Sequence, residues 1–224
     1  LSMNNINYSR ETEKIIDRNR ETGEVPTLLL HACCAPCSSY CLEYLREYFM
    51  ITVFYYNPNI TDAAEYEKRK AEEKRLIAEY NSQVDEGKHI DIMEAPYDPE
   101  SFLAMAKGLE DAPEGGERCM ACYALRLGKT AETAYKCGFE YFTTTLTISP
   151  LKSAAKLNEA GETAEEHVLT EHPESHLKFL PSDFKKKGGF QRSIELSHKY
   201  GLYRQNYCGC EFSKRGTELH AEIT

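Results

Sequence analysis

Thr27-Leu28-Leu29-Leu30-His31-Ala32-Cys33-Cys34-Ala35-Pro36-Cys37 is a short apolar run that ends in three cysteines and a proline. Its length, after Pro26, suits a strand buried on both faces. Pro36 suits the first turn of a helix, where its missing N–H costs nothing. Tyr40, Leu42, Leu45 and Phe49 then supply apolar positions for that helix. The stretch therefore reads as strand, thiol-rich turn and helix.

The same alternation continues outward. Ile51–Tyr56 is β-branched and aromatic, a second strand, broken by Asn57-Pro58-Asn59. Ala63–Asn81 reads as a long charged helix, with Glu65 and Arg69 at i,i+4 spacing. His89–Met93 alternates like a third strand, and Ser101–Leu109 is a short helix. Asp111–Glu117 is a loop of proline, glycine and acids. A helix runs from about Arg118 to Cys137, stopped by Gly138. Glu140–Leu146 is a fourth strand, and Thr147-Ile148-Ser149-Pro150 caps a helix through Leu157. Leu177–Leu180 is a fifth strand, Gly189–Tyr200 a helix, and Tyr203–Cys210 irregular. Upstream, Tyr8–Arg20 is a polar leading helix. Strands alternating with helices imply an α/β, Rossmann-like parallel sheet flanked by helices. Ligands of such sheets bind beyond the strands' carboxyl ends. Cys33–Cys37, Asn57–Asn59 and Thr145–Lys152 would share that edge.

Seven of the nine cysteines fall into three groups: Cys33-Cys34-x-x-Cys37, Cys119-x-x-Cys122 and Cys208-Gly209-Cys210. Such spacing offers several thiolates to one metal. Gly209 lets both its neighbours turn toward one ion or form a reducible disulfide. Zinc would take four of the seven; a four-iron cluster would also take four and leave three for a second ion or a redox couple. Cys41 and Cys137 stand alone and read as small buried hydrophobes. His31 reads as a strand residue pointing into the core. Cys34-Ala35-Pro36-Cys37 alone would suit a thiol–disulfide oxidoreductase, and a zinc-binding RNA or protein interaction module is another reading.

Hydrophobic residues make up 41% of the 224, enough for a substantial core, and the net charge of −9 argues against non-specific nucleic-acid binding by the whole surface. Lys185-Lys186-Lys187 with Arg192, and Lys152 with Lys156, are candidate local basic patches. No run is long enough to cross a membrane. Leu1–Asn5 is polar with no apolar stretch behind it, so no secretory leader and a cytoplasmic location are expected. Thiols stay reduced there, which favours metal or redox use of the cysteines.

Six motifs, in order, resemble the QueH-type epoxyqueuosine reductase family. They are His31-Ala32-Cys33-Cys34-Ala35-Pro36-Cys37-Ser38; Tyr56-Asn57-Pro58-Asn59-Ile60 with Glu65-Tyr66 and Arg69; Arg118-Cys119-x-x-Cys122-Tyr123-x-x-Arg126-Leu127; Thr143-Thr144-Thr145-Leu146-x-x-Ser149-Pro150-x-Lys152; Lys187-Gly188-Gly189; and Arg204-Gln205-x-Tyr207-Cys208-Gly209-Cys210. The resemblance implies a Rossmann-like (PP-loop/HUP-like) fold with a cysteine-rich metal site at the strands' carboxyl edge. It implies a single domain over 27–213, a helical extension over 1–26 and a tail over 214–224. It further implies two-electron removal of the epoxide oxygen from epoxyqueuosine at the wobble position of tRNA, without cobalamin. The cofactors would be a 4Fe-4S cluster and a second, mononuclear iron ion.

By carry-over the cluster would sit on Cys33, Cys34, Cys119 and Cys122. Cys208 and Cys210 would be a redox-active disulfide or ligands of the second iron, with Cys37. Tyr123 and Tyr207 are candidate proton donors. Tyr56, Asn57, Arg69, Arg126, Ser149, Lys152 and Lys187 are candidate contacts to the anticodon loop of tRNAs with GUN anticodons. An external electron donor is required. A tRNA-thiolating enzyme would need a Gly-rich pyrophosphate loop after the first strand, where this chain carries cysteines.

Overall fold

In the computed structural model, which describes residues 6–214, β1 (Thr27–His31) is the middle strand of a parallel sheet. It pairs with β2 (Met50–Tyr55) on one side and β4 (Tyr141–Thr144) on the other, His31 lying opposite Phe54 and Thr144. β3 (Asp91–Glu94) and β5 (Lys178–Phe179) complete the order β3-β2-β1-β4-β5, every pair parallel. The five expected strands are all present.

Strand alternation divides the core. Leu28 and Leu30 face one cluster with Leu42 and Leu45 of α2 (Ala35–Leu45) and Leu76 of α3 (Ala63–Asn81). Leu29 faces the other, with Phe142, Leu127 of α5 (Glu117–Lys136) and Leu157 of α6 (Ala154–Glu171). All three leucines are fully buried. Each contributes about 1.5–3 kcal/mol relative to exposure. α4 (Pro99–Ala106) precedes α5, and α7 (Gly189–Lys199) packs on α2.

α6 is longer than expected. It is capped by Ser153 rather than by Thr147–Pro150, which form a 3₁₀ turn and its exit, and it continues past Leu157 to Glu171. Gly161 lies inside it because a Cβ there would come within 2.3 Å of the Phe179 ring. α1 (Tyr8–Thr22) lies against the α/β body: Ile16 is buried in the core, Thr12 Oγ1 donates to the Pro181 carbonyl at 2.6 Å, and Arg18 donates to Tyr141 Oη at 2.7 Å. After α7 the chain crosses the carboxyl edge of the sheet as an irregular segment, and a helical turn begins at Glu211. Beyond Lys214 the expected tail lies outside the described residues. Among these residues no helix is long and apolar enough to cross a membrane.

Candidate metal centre

The strand order reverses between β1 and β4, the place where open parallel sheets form a ligand crevice. β1 delivers the first thiols there. Cys34 is the extended N-cap of α2, so Cys33 and Cys34 precede the helix and Cys37 lies in its first turn. The three sulfurs lie within 4.8 Å of one another, a group able to hold a metal ion.

A second thiol group lies alongside. α5 places Cys119 and Cys122 one turn apart, with the Gly115 N–H donating to Cys119 Sγ at 3.2 Å. Cys208 and Cys210 of the irregular segment face them, and all four line one small cavity with Asn59 and Tyr123. Cys208 Sγ and Cys210 Sγ are 3.5 Å apart and both are free thiols, so the pair is not a disulfide. This segment is tied down from three sides. Arg69 Nη1 donates to the Cys208 carbonyl at 3.2 Å, Asn59 Nδ2 donates to the same oxygen at 3.2 Å, and the Thr61 N–H donates to the Gly209 carbonyl at 3.3 Å. Gly209 has φ 112°, and a Cβ there would meet Ile60 Cγ1 at 2.7 Å. No side chain fits that position.

A larger cavity of ≈ 320 Å³ adjoins the small one, lined by Cys33, Cys37, Ser149, Arg204 and Tyr207 among others. The two share Glu114, Arg126, Leu151, Lys152 and Cys208 as common wall. Each thiol group has one acidic member. The hydrogen bond from Cys34, then that from Cys37, lowers the Cys33 thiol, while the hydrogen bond to Cys33 pushes Cys34 up to about 12. The hydrogen bond from Cys210 lowers Cys208, and Cys210 rises in return. Burial pushes Cys122 up to about 11 and raises Cys119. Burial would lower the Lys152 ammonium, but the charges of Cys208 and Cys33 outweigh it and its pKa is raised. One cation thus serves both groups.

Beneath the cavities lies a buried polar network. Arg126 Nη2 donates to Asn57 Oδ1 at 2.6 Å, Asn57 Nδ2 donates to the Ala32 carbonyl at 2.8 Å, and Arg126 Nε donates to His31 Nε2 at 3.2 Å. His31 is fully buried; burial, then the Arg126 charge, lowers its pKa to about 3. His31 Nε2 also lies 3.0 Å from the Tyr56 carbonyl, and Nδ1 lies 2.9 Å from Thr144 Oγ1. His31 is therefore a core residue, as its strand position suggests.

Several expected substrate contacts have other partners. Arg69 and Asn57, each 1% exposed, are engaged by Glu65, the Cys208 segment, Ala32 and Arg126, though Arg69 also borders the large cavity described above. Tyr56 is buried and stacked on Phe54, lining neither thiol cavity. Lys187 pairs with Glu13 of α1, and Lys185 with Asp183 at 2.7 Å, and neither lysine lines a thiol cavity. Ser149, Lys152, Arg126 and Tyr207 do line the large cavity, and Tyr123 the small one. Glu114, Asn59 and Arg204 were not among the expected residues. Asn59 had a signal, the Asn-Pro-Asn break after β2; Glu114 sits in a loop that reads only as a linker.

Comparison with known proteins points to one family. A family model described as "Epoxyqueuosine reductase QueH" matches residues 28–216. The chain is 41% identical over 218 residues to an epoxyqueuosine reductase QueH of Staphylococcus epidermidis, covering 96% of this chain and 88% of the relative. It is 40% identical over 210 residues to that of Streptococcus pyogenes, covering 94% and 79%. To that of Thermotoga maritima it is 35% identical over 199 residues, covering 88% and 96%.

Proposed function

The chain belongs to the epoxyqueuosine reductase QueH family, and on that premise we propose that it reduces epoxyqueuosine in tRNA to queuosine. Both C–O bonds of the epoxide break, two electrons and two protons are consumed, water leaves and a ring double bond forms. The electrons come from an external reductant. The observation that carries this reading is the convergence of three distant cysteine segments at the strand-order reversal, six of their thiols lining two adjoining cavities and the seventh, Cys34, lying within 4.8 Å of Cys33 and Cys37.

The donor chemistry fits iron. Soft thiolates suit iron–sulfur centres, and the seven sulfurs fall into a four and a three. We assign Cys119, Cys122, Cys208 and Cys210, which line one cavity, to a 4Fe-4S cluster. Cys33, Cys34 and Cys37, mutually within 4.8 Å, would hold a mononuclear iron ion. The alternative set of Cys33, Cys34, Cys119 and Cys122 draws on both groups, which supports it less. Such centres, when bound, supply single-electron transfer and a Lewis-acidic position. The protein supplies the rest. Lys152 balances negative charge at the junction of the two cavities. Tyr123 Oη and Tyr207 Oη keep their protons at neutral pH, burial raising both and taking Tyr123 to about 12, so each holds a proton for the departing oxygen. The His31–Arg126–Asn57 network fixes the shared wall.

tRNA would approach the carboxyl edge of the sheet, where Lys152 and Arg204 line the large cavity. The anticodon loop of GUN-anticodon tRNAs, with its wobble base in that cavity, is the proposed partner. The acidic remainder of the surface limits docking elsewhere. A protein disulfide reductase would need an accessible attacking thiolate, whereas Cys34 is 1% exposed and its thiol is raised.

The test is turnover. Protein purified without oxygen is given a strong reductant and tRNA carrying epoxyqueuosine, and the digested nucleosides are weighed. Loss of one oxygen, dependent on bound iron, is expected. An unchanged nucleoside with iron-loaded protein refutes the reading.

A further inference from the structure

Among the described residues Glu114 is the only carboxylate lining either thiol cavity, and it lines both. The rest of the charged wall is basic: Arg69, Arg126, Lys152 and Arg204 around the large cavity, Arg118 beside the small one. Among the described residues Glu114 takes part in none of the ion pairs. An acid at such a boundary without a protein cation suits a positively charged ligand.

Its loop is built to hold it there. Arg118, 4% exposed, donates from Nη1 to the carbonyls of Leu109, Glu110 and Ala112 at 2.9, 2.8 and 2.7 Å. Its guanidinium also lies 4.6 Å from the centre of the Phe212 ring, just past Cys210. The Gly116 N–H closes a turn onto the Pro113 carbonyl at 3.0 Å, and Gly115 takes φ 81°. These contacts hold the loop backbone on either side of Glu114, whose side chain is exposed at the cavity rim next to the Gly115 N–H that meets Cys119.

Resting on the function proposed above, we infer that Glu114 reads the linker of the substrate. Epoxyqueuosine joins its base to its epoxide ring through a secondary amine, an ammonium at neutral pH. With the base in the large cavity and the epoxide at the thiols, that ammonium crosses the boundary where Glu114 stands. The carboxylate accepts a charge-assisted hydrogen bond from it. Unmodified guanine has no such group, so Glu114 distinguishes the modified tRNA from its unmodified form.

Iron-loaded enzyme is tested for binding to one tRNA in two forms, carrying epoxyqueuosine or unmodified guanine. The parent protein is expected to prefer the modified form. Glu114→Gln should weaken that form alone, by about 10- to 100-fold, raise KM in turnover by a similar factor, and keep its iron. Glu114→Asp should recover part of the preference. Full preference in Glu114→Gln overturns the inference while leaving the reductase reading intact. Loss of iron from Glu114→Gln also overturns it, marking the residue as part of the metal site. A parent protein that neither turns over nor prefers the modified tRNA overturns the function and the inference together.

Discussion

Glu73→Gln should change how stability depends on pH. Glu73 of α3 is fully buried beside Ser38, whose hydroxyl offsets only part of the burial effect on its carboxyl. Burial pushes its pKa up to about 8. In the unfolded chain the group titrates near about 4.3. Between those values the folded state keeps a proton that the unfolded state has released. Stability must therefore fall as pH rises through this window, by about 1.4 kcal/mol per unit. From pH 5.5 to 7.5 the loss amounts to roughly 3 kcal/mol. Glutamine has similar volume and no titrating proton, so the variant escapes this loss, and any cost of its amide is the same at every pH. Thermal unfolding of parent and variant, run side by side at pH 5.5, 6.5 and 7.5, isolates the term. The variant's Tm should gain roughly 6–10 °C on the parent's across that range. Curves that stay parallel would show that Glu73 is ionised and solvated in the folded protein, and the reasoning from its burial would fail.

Gly209→Ala places a Cβ 2.7 Å from Ile60 Cγ1 in a left-handed backbone, at a cost of about 1–3 kcal/mol. The Cys208 segment should lift, and iron content should drop while circular dichroism stays the same; full iron retention refutes this. Lys152→Met removes the cation that helps hold down Cys33 and Cys208. Iodoacetamide labelling of both thiols in metal-free protein should slow several-fold at pH 7, and an unaltered rate counts against that role. Cys119→Ala and Cys210→Ala should each abolish the iron–sulfur absorption band if the four-thiol cavity holds the cluster. A band that survives Cys210→Ala would return the assignment to Cys33, Cys34, Cys119 and Cys122.

The sheet was legible because each strand is a short β-branched or apolar run closed by a breaker, and α3 because Asp62 caps it and charge fills it. α6 was legible only as far as Leu157; Gly161 inside it fits because its space is taken by Phe179, which belongs to a strand that follows in sequence. Glu65 and Arg69 were legible as an i,i+4 pair, with Arg69 expected at the substrate. What makes Arg69 a buried clamp is the Cys208 carbonyl, 139 residues away, which local spacing cannot reveal. The seven thiols announced themselves by type and clustering. Their division into three and four could not be read, since it depends on how the segment after α7 returns over the sheet edge. Glu114 was hidden for the opposite reason: its loop is rich in turn residues, and only Arg118, folding back on three carbonyls, turns that loop into a fixed wall.

The return of the Cys208 segment has a consequence for biogenesis. Synthesis delivers β1, α5 and their five thiols well before Cys208 and Cys210 emerge, and domains fold from the N-terminal side as they appear. A nascent chain that stops short of residue 208 thus carries the sheet and only Cys119 and Cys122 of the four-thiol cavity. Arg69, Asn59 and the notch beneath Gly209 act as a latch that closes on the last-made ligands. On the cluster assignment proposed above, loading of the four-thiol cavity would have to wait for Cys208 and Cys210, the last-made of its thiols.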